Sequence, residues 1–134
     1  MMFDPIELKR RICNACAYDG ELSVSCYCAD HLIVEGQNGS ISIGYSSTAD
    51  FCRGIALAIQ HLRASDACFR EEQTRRIKSS GVMLDCSYEG MPTLATLRSY
   101  IDYMAAMGLN LLMLYTEDTY EVKKYPQMGY QRGR

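Results

Sequence analysis

The sequence predicts a small α+β domain running into the opening strand–helix–strand of a parallel (β/α)8 barrel. Three observations lead there. Residues 1–79 mix helix and strand signals in the order helix, strands, helix, strands, the pattern of helices packed on an antiparallel sheet. Two continuous apolar runs, Val82–Leu84 and Leu111–Tyr115, each end in polar residues, as strands buried on both faces do. One helical stripe lies between those runs, completing a βαβ unit. The boundary is expected at residues 79 and 80.

The first helix is predicted to begin at Asp4, with Pro5 at its first position and Glu7 closing a capping box. Leu8, Ile12 and Ala15 share one face, and Lys9, Arg10 and Arg11 read as a solvated one. Leu22, Val24 and Cys26 alternate as a strand, and Leu32–Glu35 forms another. Asn38-Gly39 favours the positive φ of a tight hairpin, with Ile41 and Ile43 alternating beyond it. Ser47 or Thr48 caps a long helix whose buried stripe is Phe51, Ile55, Ile59 and Leu62. His61 near its end reads as a helix-end residue. Residues 68–73 and 74–78 are expected to pair as a further hairpin.

In the second unit, Val82–Leu84 leads to Asp85. Pro92 and Thr93 open a helix with Leu94, Leu97, Ile101 and Met104 on one face, and Gly108 ends it.

Composition bounds the function. The 134 residues are 48% hydrophobic and 22% charged, with a net charge of −2. No global basic field points to nucleic acid or to an anionic membrane. No apolar run reaches the roughly 18 residues that span a bilayer, and the N-terminus lacks a basic-then-apolar leader, so a cytoplasmic location is expected. The seven cysteines form no even framework and are expected to be mostly small buried residues. Cys13-x-x-Cys16 with Cys26-x-Cys28 has the wrong spacing for common zinc sites. Neither a metal nor a cofactor is expected.

Ligands of parallel α/β folds sit beyond the C-terminal ends of the strands. Here those ends carry Asp85, Cys86, Ser87 and Tyr88, then Tyr115, Thr116, Glu117 and Asp118. Glu117 and Asp118 can position a sugar hydroxyl; alternatively they cap the next element or pair with Arg132 or Arg134. Adjacent strand residues point to opposite faces, so the two do not form an acid/base dyad.

At Gly81-Val82-Met83-Leu84-Asp85-Cys86-Ser87, at the run from Asn110 through Leu-Tyr-Thr-Glu-Asp-Thr-Tyr-Glu to Val122, and at Gly129-Tyr130-Gln131-Arg132-Gly133-Arg134, the chain resembles glycoside hydrolase family 20, the β-N-acetylhexosaminidases. The likeness covers residues 79–134. Residues 1–78 are similar to the non-catalytic domain that precedes the barrel. The resemblance implies removal of terminal N-acetylglucosamine or N-acetylgalactosamine with retention, the substrate's own acetamido group acting as nucleophile, an exception to the two-carboxylate scheme. It implies an Asp-Glu pair after a fourth barrel strand, past residue 134, so no catalytic residue is assigned within this chain. Asp85, Tyr88, Tyr115, Glu117, Asp118 and Arg132 are the expected sugar-binding positions. Tyr88 stands where the family usually carries an arginine, and Ser80 where it often does. A tyrosine stacks on a sugar but supplies no charged fork.

The stretch from Gly81 to Arg134 is far shorter than the about 250 residues of a closed barrel. The piece is therefore expected to be inactive alone and to expose strand edges that pair with itself, with a partner, or with residues 1–79. The alternative reading is a non-catalytic module that binds glycan or a partner protein, with Tyr88, Tyr115, Tyr120, Tyr125 and Tyr130 as stacking surfaces.

Overall fold

A computed structural model describes residues 4–87, 91–117 and 123–125. Their order is α1 (Pro5–Ala15), β1 (Val24–Cys28), β2 (Leu32–Gln37), β3 (Ser40–Tyr45), α2 (Thr48–Arg63), β4 (Cys68–Gln73), β5 (Gly81–Asp85), α3 (Leu94–Ala106) and β6 (Leu111–Tyr115). Among the described residues the fold is α+β, with a four-stranded mixed sheet, three helices and a two-stranded parallel pair.

The helix starts follow the expected caps. Asp4 Oδ1 accepts from the backbone N–H groups of Ile6 (2.9 Å) and Glu7 (3.4 Å). The Glu7 carboxylate, however, pairs with Arg10 one turn on. Ser47 caps α2 by accepting from Asp50 N–H, and Thr93 caps α3 by accepting from Thr96 N–H.

All three helices end in a Schellman motif, seen in α3 as Leu109 N–H bonding to Met104 C=O and Gly108 N–H to Ala105 C=O. That motif needs a left-handed residue, and Gly108 provides it at φ 77°. In α1 and α2 the same position is held by Ala17 (φ 49°) and Ser65 (φ 60°), whose Cβ atoms make that conformation costly. Ala17→Gly and Ser65→Gly are each expected to stabilise the fold by about 1 kcal/mol, read as a higher denaturation midpoint at unchanged slope.

The four-stranded sheet has the order β1-β3-β2-β4. The β2–β3 hairpin turns at Asn38 (φ 50°) and Gly39 (φ 82°), as expected. The expected antiparallel sheet is corrected at β1, which pairs parallel with β3 through Val24↔Ile41 and Cys28↔Tyr45. The hairpin places β3 beside β2, so the edge open to β1 is the far side of β3. The expected 68–78 hairpin is also corrected. Residues 74–78 form no strand, and β4 pairs antiparallel with β2 instead.

One face of this sheet meets α1 and α2 in the core. Ile12, Val34, Ile43, Phe51, Ile55, Leu57 and Ile59 are all buried there. Leu62 and Leu8 pack at its margin. The cysteines do not follow the expected burial: Cys52 is buried, Cys13, Cys16 and Cys86 are intermediate, and Cys26, Cys28 and Cys68 are exposed.

The expected solvated basic face of α1 is corrected in part. Arg10 does lie in solvent, but Arg11 bonds Asp102 of α3 at 2.5 Å, and Lys9 Nζ donates to the Leu22 carbonyl at 3.0 Å. The bond to Asp102 helps to seat α3, whose Met104 and Ala106 are buried.

β5 and β6 pair parallel and in register, Val82↔Leu112 to Asp85↔Tyr115. Burial on both faces is not found. Val82, Leu84 and Leu112 are half-buried, while Met83, Leu111, Met113 and Leu114 are exposed. The α3 stripe is similarly split: Leu94 and Ile101 are exposed, Leu97 is half-buried and Met104 is buried. The buried residues of α3, Met104 and Ala106, lie in its C-terminal half. Among the described residues no helix is long and apolar enough to cross a membrane.

Candidate functional site at the C-terminal rim of the parallel pair

The two strands of the parallel pair end side by side. Asp85 and Tyr115 are register partners, and the Cys86 N–H donates to the Tyr115 carbonyl at 2.8 Å, extending the ladder past Asp85. Partners in a parallel ladder share a face, so both side chains lie on the open side with Met83 and Met113.

Asp85 Oδ1 accepts from the Ser87 hydroxyl at 2.5 Å and the Ser87 backbone N–H at 2.8 Å. These bonds, the hydroxyl's above all, hold the Asp85 carboxyl below the usual carboxylate range. At neutral pH it is an ionised acceptor and not a proton donor. Tyr115 donates its phenol to Glu117 Oε1 at 2.7 Å. Residues two apart on an extended chain point the same way, which brings the ring and the carboxylate together. The rim thus offers two anchored carboxylates and one half-open aromatic face, a set suited to accepting hydrogen bonds from hydroxyl groups.

Of the expected sugar-binding positions, Asp85, Tyr115 and Glu117 are brought to one rim. Tyr88, Asp118 and Arg132 lie outside the described residues, as do Tyr120 and Tyr130. Tyr125 is half exposed, with Lys124 Nζ 5.7 Å from its ring centre. Among the described residues no group of three or more His, Cys, Asp or Glu side chains gathers as a metal site would require.

Two side-chain clusters were not legible in the sequence. At the end of α2, His61 faces Asp66 through Nδ1 (2.8 Å) and Glu71 through Nε2 (3.1 Å), and its ring stacks on Phe69 at 4.0 Å. The hydrogen bond with Asp66, helped by Glu71, raises the His61 pKa above the ordinary histidine value. A raised folded pKa favours the charged ring, so this contribution is complete below the ordinary histidine range. It is lost as pH rises through the raised value. The stability gap between the natural chain and His61→Gln is therefore expected to shrink as pH rises from the ordinary histidine range through the raised folded value, measured by denaturant titration. A gap independent of pH would rule out the charged clasp.

The second cluster joins the two units. Arg75 donates to Asp50 Oδ1 (3.2 Å) and to the Gly108 carbonyl (3.0 Å), and Arg53 donates to the Ala106 carbonyl (3.4 Å). Two guanidinium groups thus sit at the negative end of α3. No protein-family model matches this chain, and no curated protein matches it.

Proposed function

We propose that the chain is the N-terminal part of a family 20 β-N-acetylhexosaminidase, its first unit the pre-barrel domain and its second the first βαβ of the catalytic barrel. The observation that carries this reading is the in-register parallel pair of β5 and β6, with Asp85, Tyr115 and Glu117 at one rim. Of the motif positions quoted above, residues 81–87 and 110–117 fall on these two strands and their flanks, and the others lie outside the described residues. The ligand is a terminal N-acetylglucosamine or N-acetylgalactosamine of a glycan. Asp85 and Glu117 accept its hydroxyl protons, and Tyr115 packs against the ring. Tyr88, Asp118 and Arg132 complete the set in this proposal.

Hydrolysis needs a carboxyl that stays protonated until it meets the leaving oxygen, and a second carboxylate that steadies the acetamido group. Asp85 does not fill the first role, because its bonds from Ser87 keep it ionised, and in this proposal both roles belong to the Asp-Glu pair of the fourth barrel strand. The chain alone is accordingly an inactive portion of the enzyme. Its open strand face and edges associate with further barrel strands or with another copy. Incubation with a chromogenic N-acetylglucosaminide is expected to give no turnover above a heat-killed control. Reading the coding sequence beyond codon 134 should reveal more βα units and an adjacent Asp-Glu pair after a fourth strand. Turnover by the chain alone would refute the division of labour, and continuation into an unrelated pattern would refute the family.

A further inference from the structure

We propose that Cys26 and Cys28 form a two-thiolate site for a soft monovalent cation of the Cu(I) type. Both residues lie on β1, two positions apart, so their side chains leave the same face of the strand about 6.6 Å apart along it. β1 is an edge strand, and the helices cover β2 and β3 rather than β1. Both thiols are therefore exposed and free although they point to the helix side of the sheet. Tyr45, the register partner of Cys28, lies beside them.

The other five cysteines do not match this arrangement. Cys13 on α1 and Cys16 at its C-cap are half-buried, and burial raises both thiol pKa values. Cys52 is buried, its thiol pushed up to about 11. Cys68 lies on β4 at the opposite edge of the sheet, three strand spacings or about 14 Å away. Cys86 follows β5 in the other unit.

The donor set selects the ion. Zinc requires four ligands, or three with an open position, and among the described residues no third His, Cys, Asp or Glu joins the pair. Two thiolates suit a soft d10 ion that accepts two-coordinate binding. Binding replaces the two thiol protons with one cation, leaving a complex of net charge −1 and releasing two protons. No electron is transferred.

The test is an anaerobic titration of the reduced full chain with Cu(I) against the chromogenic chelator bicinchoninate. The natural chain, Cys13→Ser and Cys16→Ser are each expected to hold one equivalent. Cys26→Ser and Cys28→Ser are each expected to lose it while keeping the natural circular dichroism and thermal midpoint, since both side chains are exposed. Retention in either of those two variants, loss in Cys13→Ser or Cys16→Ser, or failure of the natural chain to compete with the chelator would overturn the site.

Discussion

Gly81→Ala is expected to part β5 from β6 and cost about 3 kcal/mol or more. A Cβ at residue 81 would lie 1.7 Å from the Leu111 carbonyl oxygen and 2.5 Å from its carbon. Both atoms are backbone, so no rotamer change relieves the clash. The strand starts are also clamped. Asn110 accepts from Ser80 N–H through Oδ1 (2.9 Å) and donates to the Lys78 carbonyl through Nδ2 (2.9 Å), and the Ser80 carbonyl accepts from the Asn110 and Leu111 N–H groups. The strain therefore has to be relieved by opening the ladder. The main core contains no β5 or β6 residue, so the four-stranded sheet with α1 and α2 should survive. Amide hydrogen exchange is expected to show lost protection at 82–85 and 111–115 with β2 and β3 still protected. Unchanged protection across 111–115 would mean that Gly81 does not face Leu111, and the shared rim of Asp85 and Tyr115 would lose its basis.

The parts of this fold that were legible in the sequence are those set by local rules. Asp4, Ser47, Thr93, the Asn38–Gly39 turn and Gly108 each act within a few residues, and each does in the structure what its chemistry implies. Strand partners depend on which edge remains open after earlier pairings, and no local pattern states that. Hence the parallel β1–β3 pair and the β4–β2 pair were not legible. Apolar runs report a capacity for burial and not its completion. Met83, Met113, Leu94 and Ile101 carry the pattern of covered residues, yet they remain exposed where no other described element reaches them. The candidate rim was legible through strand ends, which placed Asp85, Tyr115 and Glu117. The Ser87 anchor that settles the charge of Asp85 was not, because it depends on a turn geometry rather than on spacing.

Asp50→Ala is the second large effect, about 3 kcal/mol, and it acts through the junction between the units. Asp50 is 8% exposed, in the first turn of α2. The Ser46 hydroxyl donates to its Oδ2 at 2.6 Å and Arg75 to its Oδ1 at 3.2 Å. Arg75 in turn reaches the Gly108 carbonyl at the end of α3. Removing the carboxylate leaves a partly buried guanidinium without its anion, which is why the cost exceeds that of breaking an exposed pair such as Arg10–Glu7. Burial by itself would raise the Asp50 pKa, but the bonds from Ser46, Ser47 and Arg75 outweigh it and hold the carboxyl below its ordinary value. A lowered folded pKa gives a contribution present above the ordinary carboxylate range and lost as pH falls through the folded value. The gap between the natural chain and Asp50→Ala should therefore be widest near neutrality and close on acidification, measured by urea unfolding. A gap that stays constant into acid would assign the loss to packing alone. If the ion pair is the cause, α3 loses its seat along with Asp50, because the guanidinium that the carboxylate holds is also the group that caps the helix.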